Sequence, residues 1–173
     1  DLTDQKRMVQ ELNQQRTQLA SLVSAIPDLV FLKDAQGRYL SCNPVFERYM
    51  GRREAAIVGM GDDLLLAPAE AERVREYDQR AMEAWQPLVY EETLTFAEDG
   101  YVGRFETIKT PIRDPQGRVV GVLGVCRDIT DRKEAEQEIE RLAFYDALTG
   151  LPNRRLLLDR LQRAASACQR SHQ

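Results

Sequence analysis

Few side chains in this sequence have the type and the company to do chemistry. The one histidine, His172, is next to last, in a polar tail. That placement argues against a haem held through histidine and against any nucleophile–base–orienter set, so no catalytic residue is expected. Cys42, Cys126 and Cys168 make an odd count, with no Cys-x-x-Cys pair and no Cys/His cluster. Neither a disulfide framework nor a structural zinc is expected, and free thiols fit a reducing, cytoplasmic compartment. Cys42 and Cys126 stand in apolar runs, where a thiol behaves as a small buried hydrophobe. Asp62 and Asp63 are adjacent but lack further ligands nearby. They read as a solvated loop, and no metal site is expected.

Binding is the chemistry that remains. The stretch VGRFETIKTPI (102–112) sets Arg104, Glu106, Thr107 and Lys109 among apolar neighbours. Strand alternation sends one pair toward a core and the other outward, but apolar residues stand at both parities, so the choice stays open. Lys109 or Arg104 is expected either to pair with Asp128 or to meet an anionic ligand. Phe46, Tyr49, Tyr77, Met82 and Trp85 fall in helical segments. They are expected to fill the space between helices and strands, as pocket walls or as plain core packing.

The chain as a whole limits the partners. Its 24 Lys and Arg against 28 Asp and Glu give a net charge of −4, which lacks the basic face that nucleic acid requires. No apolar run approaches the ~20 residues of a membrane span, and no signal peptide opens the sequence. The segment is therefore expected in the cytoplasm without nucleic-acid or membrane contact of its own, in a parent that an upstream anchor would be free to tether.

The elements that must position these residues follow from periodicity and punctuation. LVFLKD (29–34) and RYLSCN (38–43) read as strands joined by the turn DAQGR. NPVFERYMG (43–51) is a short helix with Asn43 as cap, Pro44 at its first position and Gly51 at its exit. EAAIVGM (54–60) is a short helical turn. Pro68 to Trp85 reads as the longest helix of the middle region, with Val74, Tyr77, Ala81 and Trp85 on one face. Three strands follow, PLVYEETLTF (87–96), 102–112 and VVGVLGVCRDI (119–129), linked by EDGY and DPQGR. Such short links predict an antiparallel meander, and the order β-β-α-α-α-β-β-β predicts an α+β unit. VVGVLGV is apolar at both parities and is expected to be covered on both faces.

Long helices flank this unit. Over residues 2–26, Leu2, Val9, Leu12, Leu19, Val23 and Ile26 recur at alternating three- and four-residue spacing, with Gln5 and Arg16 completing the seam. That is a coiled-coil pattern, and so polar a helix is marginal alone. A homodimer seam through Val9, Leu12, Leu19 and Val23 is expected; the alternative is a helix folded back on its own domain. The phrase DLTDQK (1–6) returns as DITDRK (128–133), where a strand runs into a helix capped by Thr130. Asp128 and Thr130 are thus the junction through which the unit meets its outgoing helix, and residues 1–6 read as the tail of a preceding domain.

Two tracts carry a family resemblance. PDLVFLKDAQGRYLSCNPVFERYMG and TPIRDPQGRVVGVLGVCRDITDRK resemble the two ends of a PAS domain over residues 27–131. The resemblance implies a five-stranded antiparallel sheet with helices on one face, flanked by N- and C-terminal linker helices, that senses a small ligand, redox state or light and often dimerises. Cys42 lacks the Asn-Cys-Arg-Phe-Leu context of the blue-light relatives, so flavin is not expected; no cofactor is, although the fold leaves room for an unidentified small molecule. RLAFYDALTGLPNRRLLLDRL (141–161) resembles the opening of a GGDEF, or diguanylate cyclase, domain, with Asp146, Leu148, Thr149, Gly150, Leu151, Asn153, Arg154 and Arg155 in its motif. The Gly-Gly-(Asp/Glu)-Glu-Phe signature itself is absent. Asn153 matches a guanine-binding residue of that family, but without the rest of a site it is expected to act as a helix-start residue. The implied organisation is a linker helix at 1–26, a PAS domain at 27–131, a signalling helix at 132–145 and the start of a GGDEF domain at 146–173. The implied role is a sensor of a cyclic-di-GMP enzyme, with an EAL phosphodiesterase domain as a further expectation. The alternative is a ligandless dimerisation scaffold.

Overall fold

The computed structural model describes residues 2–146, 148–154, 156–158, 161 and 163. It divides into two compact units, Asp1–Ile129 and Thr130–Gln173.

The first unit opens with helix α1 (Leu2–Ala25), which leads into strands β1 (Leu29–Asp34) and β2 (Tyr39–Cys42). Helix α2 (Pro44–Met50), a 3-10 turn (Glu54–Ala56), helix α3 (Asp62–Leu65) and helix α4 (Pro68–Glu83) follow. Strands β3 (Leu88–Thr95), β4 (Val102–Arg113) and β5 (Val119–Asp128) complete one antiparallel sheet in the order β2-β1-β5-β4-β3. The meander read from the short links is present, and the first hairpin adds to it through β1–β5 pairing. Leu29 faces Cys126 and Phe31 faces Gly124 across that pair.

Local chemistry explains the joints. The turns after Asp34 and Asp114 are built alike. Each Asp carboxylate accepts backbone N–H bonds from the residues two and four positions on, at 2.9–3.0 Å, and each turn places a glycine, Gly37 or Gly117, at positive φ where a side chain would be strained. Asn43 does more than cap. Its Oδ1 accepts from Phe46 N (3.1 Å) and Val30 N (3.0 Å), while its amide donates to the carbonyls of Ile26 and Asp28. One buried side chain thus ties the exit of α1 to β1 and α2.

Sheet parity is now settled. Leu29, Phe31 and Lys33 of β1, Tyr90, Glu92 and Leu94 of β3, Phe105, Thr107 and Lys109 of β4, and Cys126 of β5 share the face toward the helices. Phe31, Tyr39, Phe46, Tyr49, Phe96 and Phe105 form a chain of ring contacts through the core, with centroids 5.2–5.8 Å apart. On the opposite face Leu123 and Val125 are half-buried. Met8, Val9, Leu12, Leu19 and Leu22 of α1 are exposed, so α1 is not folded back along its own domain.

Two readings need correction. The long helix ends at Glu83, and its buried residues are Ala71, Asp78 and Ala81, with Val74 and Tyr77 both half-buried beside them. Trp85 lies beyond the helix with 87% of its surface exposed. Asp62 is not in a solvated loop: it opens α3 and is only 5% exposed.

The second unit begins with α5 (Thr130–Phe144). Beyond it the Asp146 carboxylate accepts from Leu148 N, Thr149 N and Thr149 Oγ1 at 2.8–3.2 Å, and Asn153 Oδ1 accepts from Leu156 N at 3.0 Å in the manner of a helix cap. Arg155, Cys168 and His172 lie outside the described residues.

A Cβ on Gly124 would fall on the Phe31 ring. Gly124→Ala should therefore cost about 1–3 kcal/mol by overpacking. Urea denaturation of this variant, of Phe31→Leu and of the double variant should show a non-additive pair, because the two substitutions compete for one volume.

Candidate functional site

Between the sheet and the helices, two lysines and two aspartates meet out of water. Lys33 Nζ lies 2.6 and 2.8 Å from the oxygens of Asp62 and 2.7 Å from Asp78 Oδ2. Lys109 Nζ lies 2.5 Å from Asp78 Oδ1 and 3.4 Å from the carbonyl of Val74. Tyr39 donates its hydroxyl to Asp62 at 2.8 Å, and its ring also sits 4.5 Å from the Lys33 ammonium. Lys33 has no exposed surface at all. Opposite charges balance, and each oxygen of the two carboxylates has a donor. This is the condition under which ions persist in a protein interior. Asp78 bridges the lysines and so joins α4 to both β1 and β4.

Sequence reasoning missed this cluster. Lys109 is paired with Asp78 rather than with Asp128, whose carboxylate accepts from the Tyr101 hydroxyl at 2.6 Å. The signals existed: Lys33 shares the parity of Leu29 and Phe31, and Asp78 shares a helical stripe with Ala71, Val74 and Ala81. A charge on an otherwise apolar face asks for a buried partner.

Beside the cluster lies a cavity of about 30 Å3, enough for one or two water molecules. Phe46, Tyr49 and Lys109 line it, together with Tyr90, Glu92, Thr107 and Cys126. Thr107 donates to Glu92 at 2.7 Å and Tyr49 to Glu70 at 3.2 Å, so the polar groups on its walls are engaged with one another. The other candidates lie elsewhere. Tyr77 stands outside the lining, stacked on Tyr90 at 4.0 Å between ring centroids. Met82 borders a separate cleft beside the β1–β2 turn. Trp85 packs its ring on the Arg113 guanidinium at 4.6 Å. Arg104 points to the other face of the sheet, half-exposed and 3.9 Å from Glu91.

The surroundings suppress ionisation of the thiols and phenols here. Burial, reinforced by Glu54 and Glu47, pushes the Cys42 thiol up to about 12. Burial likewise pushes Cys126 up to about 12, against a hydrogen bond with Thr107 that lowers it. Burial and nearby carboxylates raise Tyr39, Tyr49 and Tyr90 in the same way. These are thiols and phenols kept neutral, the opposite of an activated nucleophile.

The entrance and exit of the sheet are joined as well. Arg127 near the end of β5 holds Asp28 just before β1, with Nε and Nη2 both 3.2 Å from Oδ2. Ile129 N, one residue before α5, donates to the Arg104 carbonyl at 2.8 Å.

Comparison with known proteins adds to this geometry. The family described as PAS fold matches residues 23–134. The methanogenesis regulatory histidine kinase FilI of Methanothrix harundinacea is 32% identical over 162 residues, covering 88% of this chain and 18% of the kinase. A diguanylate cyclase of Vibrio cholerae is 30% identical over 146 residues, covering 84% of this chain and 46% of the cyclase. The chain thus spans less than half of either relative. Among solved structures, the PAS domain of a Colwellia psychrerythraea protein superposes with a TM-score of 0.55 at 27% identity, covering 67% of this chain and 98% of that one.

Two outcomes test the site. Asp78→Ala leaves Lys33 and Lys109 short of a counter-ion and should cost about 3–5 kcal/mol in urea denaturation. The raised thiols and phenols give a pH dependence of known sign: unfolded, these groups release protons from pH 9–10 upward, whereas folded Cys42 and Cys126 hold theirs to about 12. Their contribution is therefore complete below pH 9 and lost between pH 9 and 12. Thermal melts across that window should fall, and iodoacetamide at pH 8 should label Cys42 and Cys126 far more slowly in folded than in unfolded protein.

Proposed function

We propose that this chain, which belongs to the PAS family, is the signal-input module of a cyclic-di-GMP signalling protein and works as a homodimer. PAS domains of this kind serve signalling proteins as sensors; the output and the assembly are the proposed part. The observation that carries the output is the tract from Asp146 to Asn153, DALTGLPN, which follows α5 directly and resembles the opening of a cyclase domain. The sequence of α5 contains no histidine, so it lacks the phosphoacceptor that a kinase output would need there. The Vibrio cholerae cyclase aligns across the same region.

The mechanism follows from adjacency. The chain enters at β1 and leaves at β5, and these strands pair directly. A ligand that prefers one arrangement of helices and sheet shifts the population of that arrangement by no more than its differential affinity. A movement of β5 relative to β4 reaches Ile129 and thus the start of α5. Cyclases of the resembled family bring two nucleotide-loaded domains together, so the geometry of paired helices is a natural control point. The ligand, in this reading, is an uncharged or weakly polar molecule that displaces side chains around Phe46, Tyr49 and Tyr90.

A second reading, a ligandless PAS scaffold, is favoured by the small cavity. Two measurements separate the readings. Native mass spectrometry of purified protein, with thermal melts against a metabolite panel, should show a retained mass or a concentration-dependent rise in Tm for a sensor; neither would leave the scaffold. A protein carrying this chain with its complete cyclase-type domain should convert GTP to cyclic di-GMP. Autophosphorylation from ATP without that product would overturn the assignment of output.

A further inference from the structure

Helix α1 carries an apolar stripe wide enough for two seams. Leu12 and Leu19 belong to both, and Ile26, one residue past the end of α1, continues both. One seam adds Val9 and Val23 and places Arg16 in its centre. The other adds Met8 and Leu22 and places Gln15 in its centre. We infer that α1 pairs in parallel with α1 of a second copy of this chain through the seam of Met8, Leu12, Leu19, Leu22 and Ile26, with Glu11 of each copy bridging to Arg16 of the other. This rests on the homodimer reading above and specifies its interface.

Charge decides between the seams. In the Val9–Val23 seam the two copies of Arg16 face each other at a core position, two like charges removed from water. In the other seam Leu12 and Leu19 occupy a positions and Met8, Gln15 and Leu22 occupy d positions. Glu11 is then a g residue, and Arg16, five positions on, is an e residue. That is the g-to-e relation which a parallel coiled coil closes with a salt bridge between helices. Among the described residues neither Glu11 nor Arg16 takes part in an ion pair within its own chain, and both side chains are exposed, so both are available to a partner. The central Gln15 pair is uncharged and has both donors and acceptors to satisfy each other.

The repeated phrase gives an independent phase marker. Thr3 in DLTDQK corresponds to Thr130 in DITDRK. In α5 the apolar side is Ala135, Ile139 and Leu142, which stand five, nine and twelve residues after that threonine. The same steps from Thr3 reach Met8, Leu12 and Gln15. The steps to Val9 and Arg16 reach Glu136 and Ala143 in α5, so the Val9 position there is charged. Counted from the same phrase, both helices thus carry apolar residues in the Met8-type phase.

The full chain serves for the test, with circular dichroism as a check on folding. Leu22→Cys and Val23→Cys proteins are oxidised mildly beside the unsubstituted chain, which controls for the native thiols. Disulfide formation needs the close approach that a d position provides, so Leu22→Cys should form covalent dimer about tenfold faster than Val23→Cys. In sedimentation equilibrium, Glu11→Arg and Arg16→Glu alone should each weaken the dimer about tenfold, since two attractions become two repulsions, and the double reversal should restore it. Faster cross-linking at Val23, or a double reversal no tighter than the singles, would overturn this seam while leaving the homodimer reading intact. A chain that stays monomeric at every concentration would overturn both.

Discussion

Four charges enclosed between a sheet and its helices organise this protein. Lys33 and Lys109 rise from strands β1 and β4, and Asp62 and Asp78 descend from α3 and α4. An apolar contact tolerates sliding, whereas ion pairs in a medium of low polarity do not: each ammonium must stay within about 3 Å of its oxygens or stand desolvated and unpaired. The network therefore fixes where α3 and α4 sit over the sheet. Buried ion pairs contribute little net stability compared with apolar packing, and their effect is on the choice of arrangement. Here the chosen arrangement sets the width of the space in which any ligand must find room.

That width is small. The aromatic chain from Phe31 to Phe105 occupies most of the volume that the fold encloses, and polar groups on the cavity wall bond to one another. A molecule entering the core has to move rings or shift the helices that the charge network holds. Either displacement is felt by β1 and β5, which Asp28 and Arg127 tie together where β1 begins and β5 ends; the four bonds of Asn43 hold that same end of β1 to α2. The cavity wall and the strands that lead in and out of the domain are thus mechanically continuous. The neutral thiols and phenols along the same face keep it poor in unpaired charge, which suits recognition by shape more than by ionic contact.

The same economy of charge appears outside the core. Asp128 is held by Tyr101, and Ile129 is held by Arg104, so the last residues of the sheet are well anchored before α5 begins. In α1 the apolar residues and two complementary charges lie open along a helix about 36 Å long at 1.5 Å per residue. The buried layers and this exposed helix are distinct, and Asn43 marks the boundary between them.

Much of this was legible before any coordinates. Turn glycines, the Asn43 cap, Pro44, Pro68 and period-two strands are local devices, and local devices depend on neighbours in sequence. Five strands, the meander and the flanking helices followed from them. The partners of Lys33 and Lys109 were not legible, because Asp62 and Asp78 lie 29 and 31 residues away from the lysines they hold, and no periodicity links charges on different elements. Trp85 misled for a related reason: size and hydrophobicity suggest burial, but the helix ends two residues before it and the ring lies exposed. Sequence determined the elements and their caps, since those are satisfied within a few residues. Tertiary structure alone decided which face of β4 turned inward and which charges met there, since desolvation assigns partners only once the layers have packed.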